Sequence, residues 1–149
     1  MKVSKEFIFN EKPTPSCHAS TIVSLGSGRF MSCWFGGSAE GHSDVDIWAA
    51  LYNNGIWETA VKISEKEGIP HWNPVLFANE DKIFLFYKEG EKICGWRTMV
   101  RISCDGGKSF SSEKELVPGD ISGGRGPVKN KPILLSNGSI IAPSSHESA

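Results

Sequence analysis

The chain has 149 residues, the length of one ordinary domain, and 16 Lys and Arg stand against 17 Asp and Glu. That near balance excludes the basic run of a nucleic-acid binder, and no acidic tail marks a disordered segment. The start, Met1-Lys2-Val3-Ser4-Lys5-Glu6, lacks the apolar core of a secretory leader, and the apolar stretches are only strand-length, so no membrane contact is expected.

The pattern is β from end to end. Sixteen glycines separate short runs of aromatic and β-branched residues, and no segment keeps a helical period beyond two turns. Residues 20–25, 29–35, 45–52 and 57–63 read as four strands, with tight turns at 26–28 and 53–55. The cycle repeats at 74–77, 82–87, 97–103 and 110–116, with turns at 79–81 and at Ser103-Cys104-Asp105-Gly106-Gly107-Lys108-Ser109-Phe110. In that octapeptide Asp105 can accept turn amides, the glycines supply positive φ, and Phe110 packs back. Asn53-x-Gly55-x-Trp57 is a degenerate version of the same turn. A third cycle starts at 131–135, turns at Ser136-Asn137-Gly138 and continues over 139–142.

Self-similarity at about 50–60 residues is the period of propeller blades. The expected fold class is all-β: about two and a half four-stranded antiparallel blades, at 16–64, 70–118 and 128–149, of a larger β-propeller. Propellers close with about 4–8 blades, so the chain reads as the N-terminal part of a longer protein. The alternative is self-association that completes the ring and covers its open sheet edge.

Strand parity sorts the loops. The 1→2 and 3→4 turns share one face of an up-and-down blade, and every tight Gly/Asn turn falls there. The other face collects residues 13–18, 36–44, 68–73, 89–96, 119–130 and 143–149, with all four histidines. Binding residues ride on loops held by a rigid scaffold, which makes that face the candidate site.

The octapeptide fits the Asp-box pattern S-x-D-x-G-x-[ST]-[WF], and other segments carry the same resemblance. They are Cys17-His18-Ala19-Ser20-Thr21-Ile22-Val23, the stretch from Trp34 to Trp48, His71-Trp72-Asn73-Pro74, Thr98-Met99-Val100-Arg101 and Lys129-Asn130-Lys131-Pro132. The chain resembles the sialidase-like (neuraminidase) BNR/Asp-box repeat family from about Pro15 onward. The resemblance implies a six-bladed propeller with its pocket at the channel mouth, on the loop face chosen by parity. It implies an acid/base aspartate in the 2→3 loop of the first blade, where Asp44 is the nearest match and Asp46 or Glu40 are substitutes. True sialidases open the first blade with an arginine that grips the substrate carboxylate. Here His18 stands near that position, and a neutral imidazole is no substitute for a guanidinium fork. The nucleophilic tyrosine and its glutamate belong to later blades.

The residues can be weighed on their own. Glu40, Asp44 and Asp46 lie within seven positions, flanked by His42. Glycosidic cleavage needs a carboxylic acid and a second carboxylate or other nucleophile, and clustered carboxylates raise one another's pKa. The alternative is a solvated acidic loop. Trp72 offers a face for sugar stacking, with His71 and Asn73 as hydrogen-bonding neighbours; Trp72 can equally pack between blades. Arg97 opens a strand at the mouth and is a better sugar or anion ligand than Arg101. Lys129, Asn130 and Lys131, with Arg125, make a basic connection suited to a uronate or simply solvated. Ser144, Ser145, His146 and Glu147 are candidate pocket lining. A metal site of His18, His42 and His71 is not demanded by any spacing, and no metal or cofactor is expected.

The expected function is an exo-acting glycoside hydrolase for a terminal acidic sugar, with carbohydrate as the partner and the isolated chain inactive. The alternatives are a non-catalytic glycan-binding propeller and a polysaccharide lyase on the same scaffold. Cys17, Cys33, Cys94 and Cys104 show no C-x-x-C spacing, so reduced thiols and a cytoplasmic location are expected.

Overall fold

The structure is a computed structural model that describes residues 3–144. The first sheet is an antiparallel meander of β1 (Ser16–Gly26), β2 (Arg29–Gly37) and β3 (Asp46–Asn53). Its outermost strand comes in two pieces, β4 (Ile56–Trp57) and β5 (Val61–Lys62), both paired to β3. The second sheet runs β6 (His71–Asn79), β7 (Lys82–Glu89), β8 (Arg97–Ser103) and β9 (Lys114–Glu115) in that order. A short 3₁₀ turn, Ile93–Gly95, precedes β8. A third unit begins with the hairpin of β10 (Ile133–Leu134) and β11 (Ile140–Ile141). This is an all-β fragment of a β-propeller, with two four-stranded blades and the start of another.

Local chemistry explains the hairpins. Asn54 (φ +50°) and Gly55 (φ +86°) form a two-residue loop with both central residues left-handed, the combination that matches strand twist. In the Asp-box turn Asp105 Oδ1 accepts the Lys108 and Ser109 amides, each at 3.0 Å. The Ser103 hydroxyl donates to Oδ1 at 2.8 Å, and the Ser109 hydroxyl to Oδ2 at 2.6 Å. These donors, the Ser109 hydroxyl foremost, hold the Asp105 carboxyl far below the ordinary carboxylate range. A Cβ on Gly107 would lie 3.0 Å from Met31 Sδ and 3.1 Å from Leu51 Cδ2, so the turn docks against the first blade. Phe110 packs back onto the core as expected.

The core lies between the two sheets. Met31, Cys33 and Phe35 of β2 meet Leu76 of β6 and Ile83, Leu85 and Tyr87 of β7, all buried. The period-2 alternation of β2 and β7 puts these residues on facing surfaces. Arg101, 7% exposed, ties the sheets by donating to Ser111 O at 2.7 Å, to Ile63 O, and to Glu65 Oε1 at 2.7 Å. Lys131 staples the innermost strands: its ammonium donates to Ile22 O (2.7 Å), Leu76 O (2.8 Å) and Thr21 Oγ1 (3.2 Å).

Two expectations need correction. The outer strands predicted at 57–63 and 110–116 shrink to short pairings, because side chains replace ladder hydrogen bonds. Ser64 Oγ accepts the Ile47 amide at 3.0 Å, and Arg101 takes the Ser111 carbonyl. The inner strands begin earlier than predicted. Each carries a bulge near its start, where His18↔Phe35 is followed by Thr21↔Cys33 and Trp72↔Lys88 by Val75↔Phe86. Two residues thus face one in both blades, Ala19 and Ser20 against Trp34 and Asn73 and Pro74 against Tyr87, and the first of each pair is left-handed: Ala19 (φ +50°) and Asn73 (φ +46°).

Candidate functional site at the channel mouth

The two ends of the blades differ in construction. The turns at 26–28, 79–81 and the Asp-box gather at one end around a concavity of about 610 Å³, which Arg29, Glu80, Asp81 and Asp105 help to line. Asp105 there is fully occupied by its own turn. The opposite end carries the long loops, as parity requires.

At that mouth end an aromatic chain runs from the first blade to the second. Ring centroids are 5.4 Å apart for His18–Phe35, 5.7 Å for Phe35–Trp72 and 5.4 Å for Trp72–Trp96. Trp72 is half-buried, and its indole N–H donates to Gly90 O at 2.8 Å. The 38–44 loop rests on it, since a Cβ on Gly41 would lie 3.4 Å from the Trp72 ring.

That loop is organised by one side chain. Asp44 accepts the Ser38 amide at 3.0 Å and the Ser38 hydroxyl at 2.9 Å. Ser38 Oγ also lies 3.1 Å from His42 Nδ1. The Ser38 hydroxyl, helped by backbone amides and His42, holds the exposed Asp44 carboxyl below its ordinary value. Asp44 is therefore a carboxylate in the free protein. Glu40 and His42 are exposed on the same loop.

A groove of about 440 Å³ runs along the innermost strands, where Ala19, Ser20, Asn73, Pro74, Lys129 and Lys131 meet. Both bulged residues line it. It brings together residues of the first two blades and of the segment that leads into the third.

A family model for the BNR repeat-like domain matches residues 28–149. The chain belongs to the BNR repeat-like family. Among solved structures, this BNR repeat-like chain is similar to Zg3597, a family 117 glycoside hydrolase produced by the marine bacterium Zobellia galactanivorans. The TM-score is 0.54 at 11% identity, over 81% of this chain and 46% of that one. The likeness is one of fold, and the chain spans about half the length of that hydrolase. A comparison with curated protein sequences found no match.

The sequence-predicted residues of this BNR repeat-like chain fall into three groups. His18, Glu40, His42, Asp44 and Trp72 sit around the aromatic chain at the mouth, with Trp72 engaged in packing between blades. Asn73, Lys129 and Lys131 line the groove, and Asn130 lies beside it in a smaller recess with Pro143. Lys131 spends its ammonium on strand carbonyls, and burial lowers its pKa, whereas Lys129 is exposed. The third group turns inward. Asp46 accepts the Ser64 hydroxyl at 2.7 Å and faces Lys62 at 3.5 Å. His71 is fully buried, with Nδ1 2.9 Å from Val45 O. Arg97 is half-exposed and bonded to the buried Glu89. Ser145, His146 and Glu147 lie outside the described residues.

The sequence reading missed Glu89 and Glu113. Glu89 shares the inward parity of Leu85 and Tyr87 on β7, and a charged residue at an inward position was the signal available. Glu113 meets the Tyr87 hydroxyl at 2.6 Å from outside any predicted motif. The three mouth histidines do not converge: His18 bonds Ser16 at 2.7 Å, His42 bonds Ser38, and His71 points into the core.

Proposed function

We propose that this chain supplies part of the substrate cleft of a carbohydrate-active propeller, an exo-acting glycoside hydrolase for a terminal acidic sugar. The observation that carries the reading is the groove between β1, β6 and the 128–131 segment, bordered by Asn73 and the exposed Lys129. Left-handed non-glycine residues cost about 1 kcal/mol or more, and two of the five among the described residues, Ala19 and Asn73, sit at the matching bulges that line the groove. Lys129 and Asn130 then bind the sugar acid and hydroxyls, and the neighbouring blades supply the remaining ligands. Asp44 is the carboxylate of the cleavage step. Free in water it is ionised; a sugar seated over it strips that water and moves its pKa up toward a working acid.

A second reading is favoured by one observation. Ser38 stabilises the charged form of Asp44, the opposite of what a standing general acid needs. A glycan-binding propeller that holds its ligand without turnover accommodates that directly.

The test is a turnover assay of the full-length protein on fluorogenic sialosides and uronides. If Asp44 is the acid, Asp44→Ala lowers kcat by about 10²–10⁴ while leaving sugar affinity within a few-fold. An unchanged rate removes Asp44 from the mechanism. Binding without turnover in the wild type selects the second reading.

A further inference from the structure

A polar cluster lies at the junction of the two blades. His71 on β6 and Glu89 on β7 are register partners, and both are fully buried. Glu113, just before β9, reaches the same place and accepts the Tyr87 hydroxyl on Oε2. One ligand atom from each of His71, Glu89 and Glu113 lies within 4.8 Å of the other two.

Two atoms here are buried and lack a hydrogen-bond partner among the described residues: His71 Nε2 and Glu89 Oε2. The other atom of each pair is accounted for. His71 Nδ1 lies 2.9 Å from the Val45 carbonyl, which can only accept, so Nδ1 carries the proton. Nε2 is then the ring atom that faces the carboxylates without a partner. Glu89 Oε1 receives Lys66 at 2.6 Å and Arg97, both from the solvent side. Two buried polar atoms are thus left unpaired, an arrangement that costs free energy unless a bound group bridges them.

We propose that His71 Nε2 and a carboxylate oxygen from each of Glu89 and Glu113 hold a divalent transition-metal cation, best matched by Zn²⁺. Imidazole with carboxylates is a ligand set that Zn²⁺ accepts, at bond lengths of about 2.0–2.2 Å. The outer contacts are those of a metal-bound histidine and carboxylate: a backbone carbonyl orients the ring, and Tyr87 orients Glu113. Val45 belongs to the first blade and the three ligands to the second, so the ion fastens the blade junction. The inference stands apart from the proposed sugar chemistry.

The experiment is metal analysis of the full chain purified without chelator, followed by Zn²⁺ titration of chelator-stripped protein by calorimetry. The proposal expects one Zn²⁺ per chain, a thermal midpoint that falls with chelator and returns with Zn²⁺, and at least tenfold weaker binding in Glu113→Gln. Glu113 is only half-buried, and glutamine retains an acceptor for Tyr87. Should that variant misfold, Co²⁺ added to the stripped wild type gives an independent readout, an absorption band of a low-coordinate nitrogen and oxygen site. Absence of stoichiometric metal, with a midpoint indifferent to Zn²⁺ and chelator, would overturn the proposal in favour of a bridging water. Binding unaltered in a folded Glu113→Gln protein would overturn it too, by putting the ion elsewhere.

Discussion

Asp105 and Asp44 stand at opposite ends of the blades and use the same chemistry to different ends. Each carboxylate accepts a serine hydroxyl and backbone amides, and each is held below its ordinary pKa by those donors. Asp105 closes a hairpin whose Gly107 docks on Met31 and Leu51 of the neighbouring blade. Asp44 closes a loop whose Gly41 rests on the Trp72 ring and whose base packs on Gly37 of β2. A hydrogen-bonded aspartate therefore does not announce a role; what its loop packs against decides whether it is bound into the scaffold or left facing solvent.

The largest break in that comparison should come at the mouth end, below the loop. Trp72→Ala removes an indole set between Phe35 and Trp96, and a loss of roughly 3 kcal/mol in denaturant unfolding is expected. A loss under about 1 kcal/mol would instead make Trp72 a free stacking platform. At the turn end, Gly107→Ala should cost about 1–3 kcal/mol, because the added methyl meets Met31 and Leu51 on a backbone at φ +91°. The same change at Gly55, where nothing lies within 4 Å, carries the backbone penalty alone and should cost less.

Acid gives a smaller and more distributed effect. Asp44, Asp105 and Asp120 all have folded pKa values below the ordinary 3.8, Asp120 at about 2 through the Arg125 amide. Groups depressed in the folded state contribute stability that is fully present above the unfolded pKa and is lost as pH falls through the folded one. Urea midpoints should hold down to about pH 4 and decline from there toward about pH 2. Ser38→Ala should raise the Asp44 pKa toward its ordinary value, measurable by carboxyl NMR, and leave Asp105 unmoved.

The turn end was the more legible in sequence. Asp-box spacing and Asn-Gly hairpins are local, since donor, acceptor and glycine lie within a few residues, and the alternation of β2 and β7 announces the buried faces. The family resemblance rests on the Asp-box together with local segments such as 17–23, 34–48 and 71–74. Features that depend on two blades at once were not legible. Nothing local says that Ala19 and Asn73 are left-handed at matching bulges, that Lys131 is spent on three strand acceptors, or that Arg101 interrupts an outer strand by taking its carbonyl. Sequence position groups His71 and Asp46 with the loop, whereas their side chains turn into the junction between sheets.

The most direct test of the account is amide NMR of the chain titrated with glucuronate and with a sialic acid methyl glycoside. The account predicts shifts confined to residues 18–20, 38–44, 72–73 and 128–131. Shifts centred on the tight-turn end, at residues 26–29 and 104–107, would contradict it, as would a spectrum that neither sugar moves.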